Sequence, residues 1–366
     1  MKKNQSLYLK RAIILLLCFT LGAGCFLNTS QKIHASSGGW KSQYYEISSA
    51  DGTKIRFETL TNKGDATLIT ITKGTSKKYA LIDTGIQAAN VATTLAKKGI
   101  KRINYLILTH NDGDHINGLK NFKKEGIKVS NLYYNYIGSK GDEQRKIYDL
   151  LDYVKTIKTS VITGSAIRIR DAENHSSTAY NINMDNNSYL KVCRGRLYKL
   201  SKTSDTKGYD FIIIPPITDN IINNGAWSIN NASMMVVIQT ASDRVILGGD
   251  IQATAMDAIN KYKDNSIIKS LPNDAYSYYY GIENYIFNSN TNKRYTAYKV
   301  SHHGTGNNRN MEASPSIIAV EQKFISSILP NALVLTGYNT DKANAEYFQS
   351  IFSSAKRYSI FGNKGL

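Results

Sequence analysis

Residues His110-Asn111-Asp112-Gly113-Asp114-His115 bring two imidazoles and two carboxylates into one short run of chain. Imidazole nitrogens and carboxylate oxygens are the ligands that divalent cations select, and on a tight loop this spacing can aim side chains at two adjacent ions rather than one. A structural zinc finger would need cysteines or a helical His-x-x-x-His pair, and neither occurs here. An isolated Asp-Gly-Asp reads as a solvated acidic turn. Four of the six histidines, however, fall in two short stretches, 110–115 and 302–303, which favours a built site.

Such a site needs a scaffold that converges its loops. Alternating apolar and polar residues predict strands over 53–59 and 66–72, and Tyr79-Ala80-Leu81-Ile82 is a short apolar run that stops at Asp83-Thr84-Gly85. Helical spacing over 87–98 ends at Gly99, and a buried-strand pattern over 103–108 leads into His110. Downstream the pattern predicts a short helix at 118–124, a strand at 131–136, an amphipathic helix over 142–157, and strands at 167–170, 189–193 and 210–214. Met234 to Gln239 and Arg244 to Leu247 read as a hairpin that runs into Gly248-Gly249-Asp250. Helix over 253–263, strand over 298–300, helix over 316–328 and strand over 332–336 complete the reading. Several strands thus end on Asp83, His110, Asp250 or His302/His303, and in α/β proteins catalytic groups gather beyond strand ends.

The first 35 residues carry Lys2, Lys3, Lys10 and Arg11, then an apolar run from Ala12 to about Leu27, then a polar stretch ending at Ala35. This is the layout of a secretory signal peptide, and the run is too short for a stable membrane span after processing. The chain then divides into a signal peptide, 1–35, and one large domain, 36–366, with insertions around 130–230. Net charge is +18 and falls to +13 when the five basic residues of the first 35 are removed. That sign favours polyanionic partners, nucleic acid or a phosphate-rich envelope polymer. Only Cys193 of the three cysteines lies beyond residue 35, so a disulfide framework is excluded for the domain.

The motifs together resemble the metallo-β-lactamase superfamily, whose signature is HxHxDH. They are especially similar to the extracellular metallo-hydrolase domain of ComEC-type competence proteins, whose version is HxDxDH. The segments that carry the resemblance are Gly64-Asp65-Ala66, Leu81-Ile82-Asp83-Thr84-Gly85, Leu108 to His115, Asn230-Asn231-Ala232-Ser233 with Gly249-Asp250, and Lys299-Val300-Ser301-His302-His303-Gly304-Thr305. The resemblance implies an α/β, layered αββα sandwich with two divalent ions, zinc or manganese, at one edge. It implies that His110 and Asp112 serve the first ion and Asp114 and His115 the second, with Asp250 bridging them. One of His302 and His303 would be a ligand or touch the scissile group, so His303 joins the ligand set and Asp114, His302 and His303 the catalytic set; Asp83 would orient the loop from behind. A further ligand of the superfamily has His175 as its candidate, and a late histidine of the ComEC-type pattern is replaced by Asp341 and its neighbours.

The function expected from these features is a secreted, metal-dependent hydrolase, a phosphodiesterase acting on extracellular DNA or an envelope phosphodiester. Hydrolysis of a lactone, thioester, β-lactam or phosphocholine ester, or a surface binding role with a weakened site, are the alternatives. Tyrosines at 133, 134, 136, 276 and 278–280 could stack bases, or pack as core.

Overall fold

Burial alternates over the first half of Lys54–Thr59, with Lys54 and Arg56 more open than Ile55 and Phe57, before Glu58 and Thr59 are buried as well, whereas Phe211 to Ile214 and Met235 to Gln239 are buried throughout. Strands buried on both faces belong in the middle of a layered structure. The computed structural model describes residues 44–61, 63–134, 164–169, 180–185, 190–192, 197–200, 208–216, 230–264, 279–287, 294–304, 315–335 and 356–359. Of the sequence expectations, the signal peptide, the helix at 142–157, His175, Asp341 and the tyrosines at 136, 276 and 278 lie outside the described residues.

One seven-stranded sheet contains β1 (Tyr44–Ser48), β2 (Lys54–Thr59), β3 (Thr67–Lys73), β4 (Ser76–Ile82), β6 (Tyr105–Leu108), β8 (Leu132–Tyr134) and β11 (Leu190–Val192), in that spatial order. Its first four strands are antiparallel, and β4, β6, β8 and β11 are parallel. The second seven-stranded sheet runs β12 (Tyr198–Lys199), β13 (Asp210–Ile214), β14 (Met235–Gln239), β15 (Asp243–Leu247), β16 (Tyr295–Lys299), β17 (Ala332–Leu335) and β18 (Lys356–Ser359), antiparallel as far as β15 and parallel beyond it. Two small pairs stand apart: β5 (Arg102–Ile103) with β7 (Lys128–Val129), and β9 (Gly164–Ile169) with β10 (Tyr180–Asp185).

Among the described residues the α-helices are α1 (Val91–Lys97), α2 (Gly113–Ile116), α3 (Ala253–Asp264) and α4 (Pro315–Ile328). Val91, Ala92 and Leu95 of α1, with Leu119 and Phe122, pack on Leu68, Leu81 and Leu106 of the first sheet. Ala255, Met256 and Ile259 of α3, with Phe324, Ile325 and Ile328 of α4, cover Ile212, Val237 and Ile246 of the second. Side chains of opposite strand parity, such as Ile69 and Ile107, Ile213 and Val236, are equally buried and face inward between the sheets. Tyr105 and Phe211 meet edge to face there, 6.1 Å between ring centres. Helices outside and two sheets inside make the αββα sandwich.

Three local departures from the sequence pattern have physical causes. The helix expected over 87–98 is a 3-10 turn, Gln87–Ala89, and then α1, because Asn90 takes a left-handed conformation (φ 52°) between them. The strand expected over 103–108 breaks at Asn104, whose side chain accepts the amide of Tyr79 at 2.9 Å. The helix expected at 118–124 starts earlier, as α2 followed by a 3-10 segment, Asn117–Asn121. Tyr133 and Tyr134 are buried in the core and cannot stack bases, which corrects that option for them.

Strand polarity sets the position of the site. The C-terminal ends of parallel β4 and β6 and of parallel β15 and β16 meet at one edge, where the amide of Met234 donates to the carbonyl of Thr109 at 2.9 Å and ties the second sheet to the first.

Candidate metal centre

Two glycines allow the central loop to seat. A Cβ on Gly64 would lie 2.0 Å from the carbonyl oxygen of Asp114, and one on Gly118 would lie 1.9 Å from that of Thr84. With those contacts open, the amide of Asp65 donates to Asp114 O (3.1 Å) and the amide of Thr84 to His115 O (2.6 Å). The loops after β2 and β4 thus hold the 110–115 loop from below.

Asp83 is the hub beneath it. Its left-handed backbone (φ 58°) turns a buried carboxylate back under the loop, where Oδ1 accepts the Thr109 amide at 2.7 Å. Oδ2 accepts the Thr109 hydroxyl at 2.8 Å and faces Nδ1 of His115 at 2.8 Å. An ionised carboxylate only accepts, so His115 carries its proton on Nδ1. The single hydroxyl proton of Thr109 is likewise spent on Asp83, so Thr109 Oγ1 must accept from Nδ1 of His110, 3.0 Å away. One carboxylate therefore sets both tautomers and turns both Nε2 atoms toward the site.

Those Nε2 atoms face oxygen. Nε2 of His115 is 3.1 Å from Asp250 Oδ2 and 3.9 Å from Asp114 Oδ2. Nε2 of His110 is 3.8 Å from Asp250 Oδ2 and 3.7 Å from Asp112 Oδ2. His303 Nε2 lies 3.1 Å from Asp114 Oδ2 and 3.6 Å from Asp250 Oδ2. Asp250 is central to all of this, its amide held by the hydroxyl of Ser233 at 3.0 Å. His110, His115 and Asp250 are buried, while the side chains of Asp112 and Asp114 are 29% and 34% exposed. Solvent therefore reaches the site from the Asp112/Asp114 side.

The donor set fits divalent metal. His110 Nε2 and Asp250 Oδ1 are buried without a hydrogen-bond partner. A bare nitrogen lone pair buried against carboxylates is repulsive unless a cation lies between them. Two ligands roughly 2.0 to 2.2 Å from one ion sit about 3 to 4 Å apart, the range of the separations above. Ligand atoms of Asp65, His115, Asp250 and His303 all fall within 4.8 Å of one another. Burial disfavours charge on His115 and His303, yet the surrounding carboxylates outweigh it, raising His115 well above the usual histidine range and His303 to about 10. Burial likewise opposes charge on Asp250, and His115 and His303 nevertheless hold it well below the carboxylate range.

The expected residues divide by position. His110, Asp112, Asp114, His115, Asp250 and His303 converge, with Asp83 behind them. His302 stands apart, its ring 6.1 Å from that of His303 and its nitrogens near the amide groups of Gln252 (3.3 Å) and Asn230 (3.5 Å). Burial lowers its pKa. Both histidines adopt left-handed backbones (φ 50° and 55°), which points successive side chains in different directions. Two residues of the site had no role in the sequence reading. Asp65 and Lys299 form a buried ion pair between the loop after β2 and the end of β16. Burial opposes both charges, and their mutual attraction prevails, lowering Asp65 and raising Lys299. The available signal was a lysine inside an otherwise apolar strand, Tyr298-Lys299-Val300.

Residues 62–178, which include the central loop and Asp83, match the family model of the metallo-β-lactamase superfamily. The fold is that of the metallo-β-lactamases. Among solved structures, this metallo-β-lactamase fold is similar to a metal-dependent hydrolase of the β-lactamase superfamily, at 11% identity and TM-score 0.40, covering 83% of this chain and 95% of that one. It is similar to the metallo-β-lactamase fold protein YhfI from Bacillus subtilis, at 10% identity and TM-score 0.40, over 82% and 93% of the two chains. Human tRNase Z, short form, gives 13% identity and TM-score 0.35 over 76% and 90%. No curated protein matches the sequence.

Proposed function

We propose that the protein is a secreted metal-dependent hydrolase of phosphodiesters, acting on extracellular DNA or on a phosphodiester polymer of the cell envelope. The observation that carries the metal-dependent reading is the buried, unpartnered Nε2 of His110, facing carboxylates at 3.7 and 3.8 Å. His110, Asp112, Asp114, His115, Asp250 and His303 would hold two divalent ions. When bound, such ions supply Lewis acidity and an activated water near neutral pH. Asp83 keeps both loop imidazoles in the ligating tautomer. Asp112 and Asp114 face the open side, where the substrate enters. His302, whose nitrogens lie near the amide groups of Gln252 and Asn230, would have to give up one of those contacts to hydrogen-bond a substrate oxygen, and is assigned that role rather than a place on an ion.

Two features support a phosphodiester. The carboxylates of Asp112, Asp114 and Asp250 among the ligands make a hard site, suited to zinc or manganese and to oxyanion substrates. The exposed residues Lys101, Arg102 and Lys128 lie together at the β5–β7 pair: the Lys128 amide donates to Lys101 O, Arg102 is in register with Lys128, and the Lys101 ammonium reaches Glu125 O. Such a surface attracts polyanions. The export expected from residues 1–35 would bring the enzyme to them.

Rates on bis-p-nitrophenyl phosphate, p-nitrophenyl phosphate and a simple lactone, with Asp250→Asn as the control, test the assignment. Diester turnover that disappears in Asp250→Asn supports it; lactone turnover alone would transfer the function to carbonyl substrates.

A further inference from the structure

The buried pair Lys299–Asp65 is costly unless it does something that an apolar pair could not. Isolating a carboxylate and an ammonium from water carries a desolvation penalty that their attraction only partly returns, so a stable protein gains little from the pair as such. Its surroundings point to a purpose. Asp65 Oδ2 contacts the Lys299 ammonium, while Asp65 Oδ1 faces Nδ1 of His303 at 3.5 Å. That Nδ1 is buried and makes no hydrogen bond. On the other side of the same ring, Nε2 looks into the ligand cluster at Asp114 and Asp250. The backbone of Asp65 is fixed too, its amide on Asp114 O and its carbonyl accepting from Gly85.

Resting on the metal-centre reading above, we infer that Lys299 and Asp65 are a positioning pair for His303. Lys299 holds Asp65 so that Oδ1, 3.5 Å from Nδ1 of His303, is the acceptor within closest reach of that proton and would take it on a small closure, leaving Nε2 to ligate. Asp65 then does for His303 what Asp83 does for His115, and the two sheets each contribute one member of the device: the lysine from the end of β16, the aspartate from the loop between β2 and β3. A histidine ligand whose second nitrogen is bonded to a carboxylate is fixed in tautomer and orientation, and loss of such a partner weakens metal binding about 10- to 100-fold. Asp65 is thus a positioning residue, although its oxygens lie close enough to the cluster to be mistaken for ligands.

Two double variants isolate the hydrogen bond. Asp65→Leu/Lys299→Met and Asp65→Asn/Lys299→Met both remove the ion pair without burying a lone charge, so both are expected to fold. They differ in that the asparagine side chain keeps an amide oxygen able to accept from His303, whereas the leucine side chain offers no acceptor. Metal-free wild type and both variants are titrated with Zn²⁺ against a chromophoric chelator, with thermal melting as the check on folding. The expected result is Zn²⁺ affinity about 10- to 100-fold weaker than wild type for the Asp65→Leu double variant, with the Asp65→Asn double variant between the two, because it keeps an acceptor for His303 and loses the lysine that fixes it. Equal, wild-type affinity in both would overturn the inference and leave the pair a simple inter-sheet tie. Equal, large losses in both would overturn it in the other direction and make Asp65 a ligand. Absence of Zn²⁺ binding by wild type would instead sink the metal-centre reading, and the inference with it.

Discussion

Asp83→Asn replaces one carboxylate oxygen by an NH₂ group and should disable the centre without unfolding it. The wild-type carboxylate accepts from three donors: the Thr109 amide at 2.7 Å, the Thr109 hydroxyl at 2.8 Å and His115 Nδ1 at 2.8 Å. In one orientation of the new amide, its NH₂ replaces Oδ2 and meets two groups that formerly donated. His115 must then accept on Nδ1 and carry its proton on Nε2. Thr109 accepts from the amide and donates to His110, which moves the His110 proton to Nε2 as well. Both imidazoles would present N–H rather than a lone pair to the ions. In the other orientation the NH₂ points at the Thr109 amide, which cannot reverse, and the loop must open. Hydrogen bonds to charged groups contribute about 1.5 to 3 kcal/mol each. Restoring the ligating tautomers forfeits two of them, so metal binding should weaken by about 3 to 6 kcal/mol, or roughly 10²- to 10⁴-fold at 1.4 kcal/mol per decade. Isothermal titration of metal-free wild type and variant with Zn²⁺ measures this. Affinity within threefold of wild type would refute the tautomer relay.

Removing the small residues beneath the loop gives a different signature. Gly118→Ala places a methyl 1.9 Å from the Thr84 carbonyl and should destabilise the fold by about 1 to 3 kcal/mol, the usual range for overpacking, read as a lower urea midpoint with unchanged slope. A wild-type midpoint would show that the loop is not clamped there. For pH, His303 has its folded pKa raised to about 10 from an ordinary 6.5. Its contribution to the stability of the metal-free protein is fully present below pH 6.5 and is lost as pH rises toward 10. Metal-free protein should therefore melt at progressively lower temperature across that window, and His303→Ala should flatten this slope; an identical slope in the variant would count against the cluster electrostatics. His302→Gln should keep metal stoichiometry while lowering turnover at saturating metal, and loss of a bound ion in that variant would place His302 among the ligands.

Much of the scaffold was legible because its strands obey simple patterns. The β14–β15 hairpin, the run-in to Asp250, α3 and the loop at 110–115 all follow from apolar runs punctuated by turn residues. What the pattern missed are positions where one side chain overrides local periodicity: Asn104 interrupting a strand by bonding to Tyr79, and Asn90 splitting a helix by entering the left-handed region. The candidate centre was legible in the side chains that cluster there and illegible in their supports. His110 to His115 announce themselves by composition, and His302 and His303 by adjacency. Which of those two enters the cluster depends on two consecutive left-handed residues, a backbone feature with no local sequence marker beyond Gly304. The Asp65–Lys299 pair joins residues 234 positions apart, a relation that no window along the chain contains. The buried Tyr133 and Tyr134 show the converse limit, since aromatic residues in a short strand serve core and surface equally well on paper.

If hydrolysis depends on ions held by this cluster, removing and restoring them must switch it off and on. The most direct measurement is the rate of bis-p-nitrophenyl phosphate hydrolysis by protein stripped with a chelator, followed through stepwise addition of Zn²⁺ or Mn²⁺ with bound metal counted at each step. The expected result is no turnover in the stripped protein and a rise that saturates as two ions bind per chain. Turnover that survives stripping, or a fully loaded protein that hydrolyses no diester, would contradict the assignment.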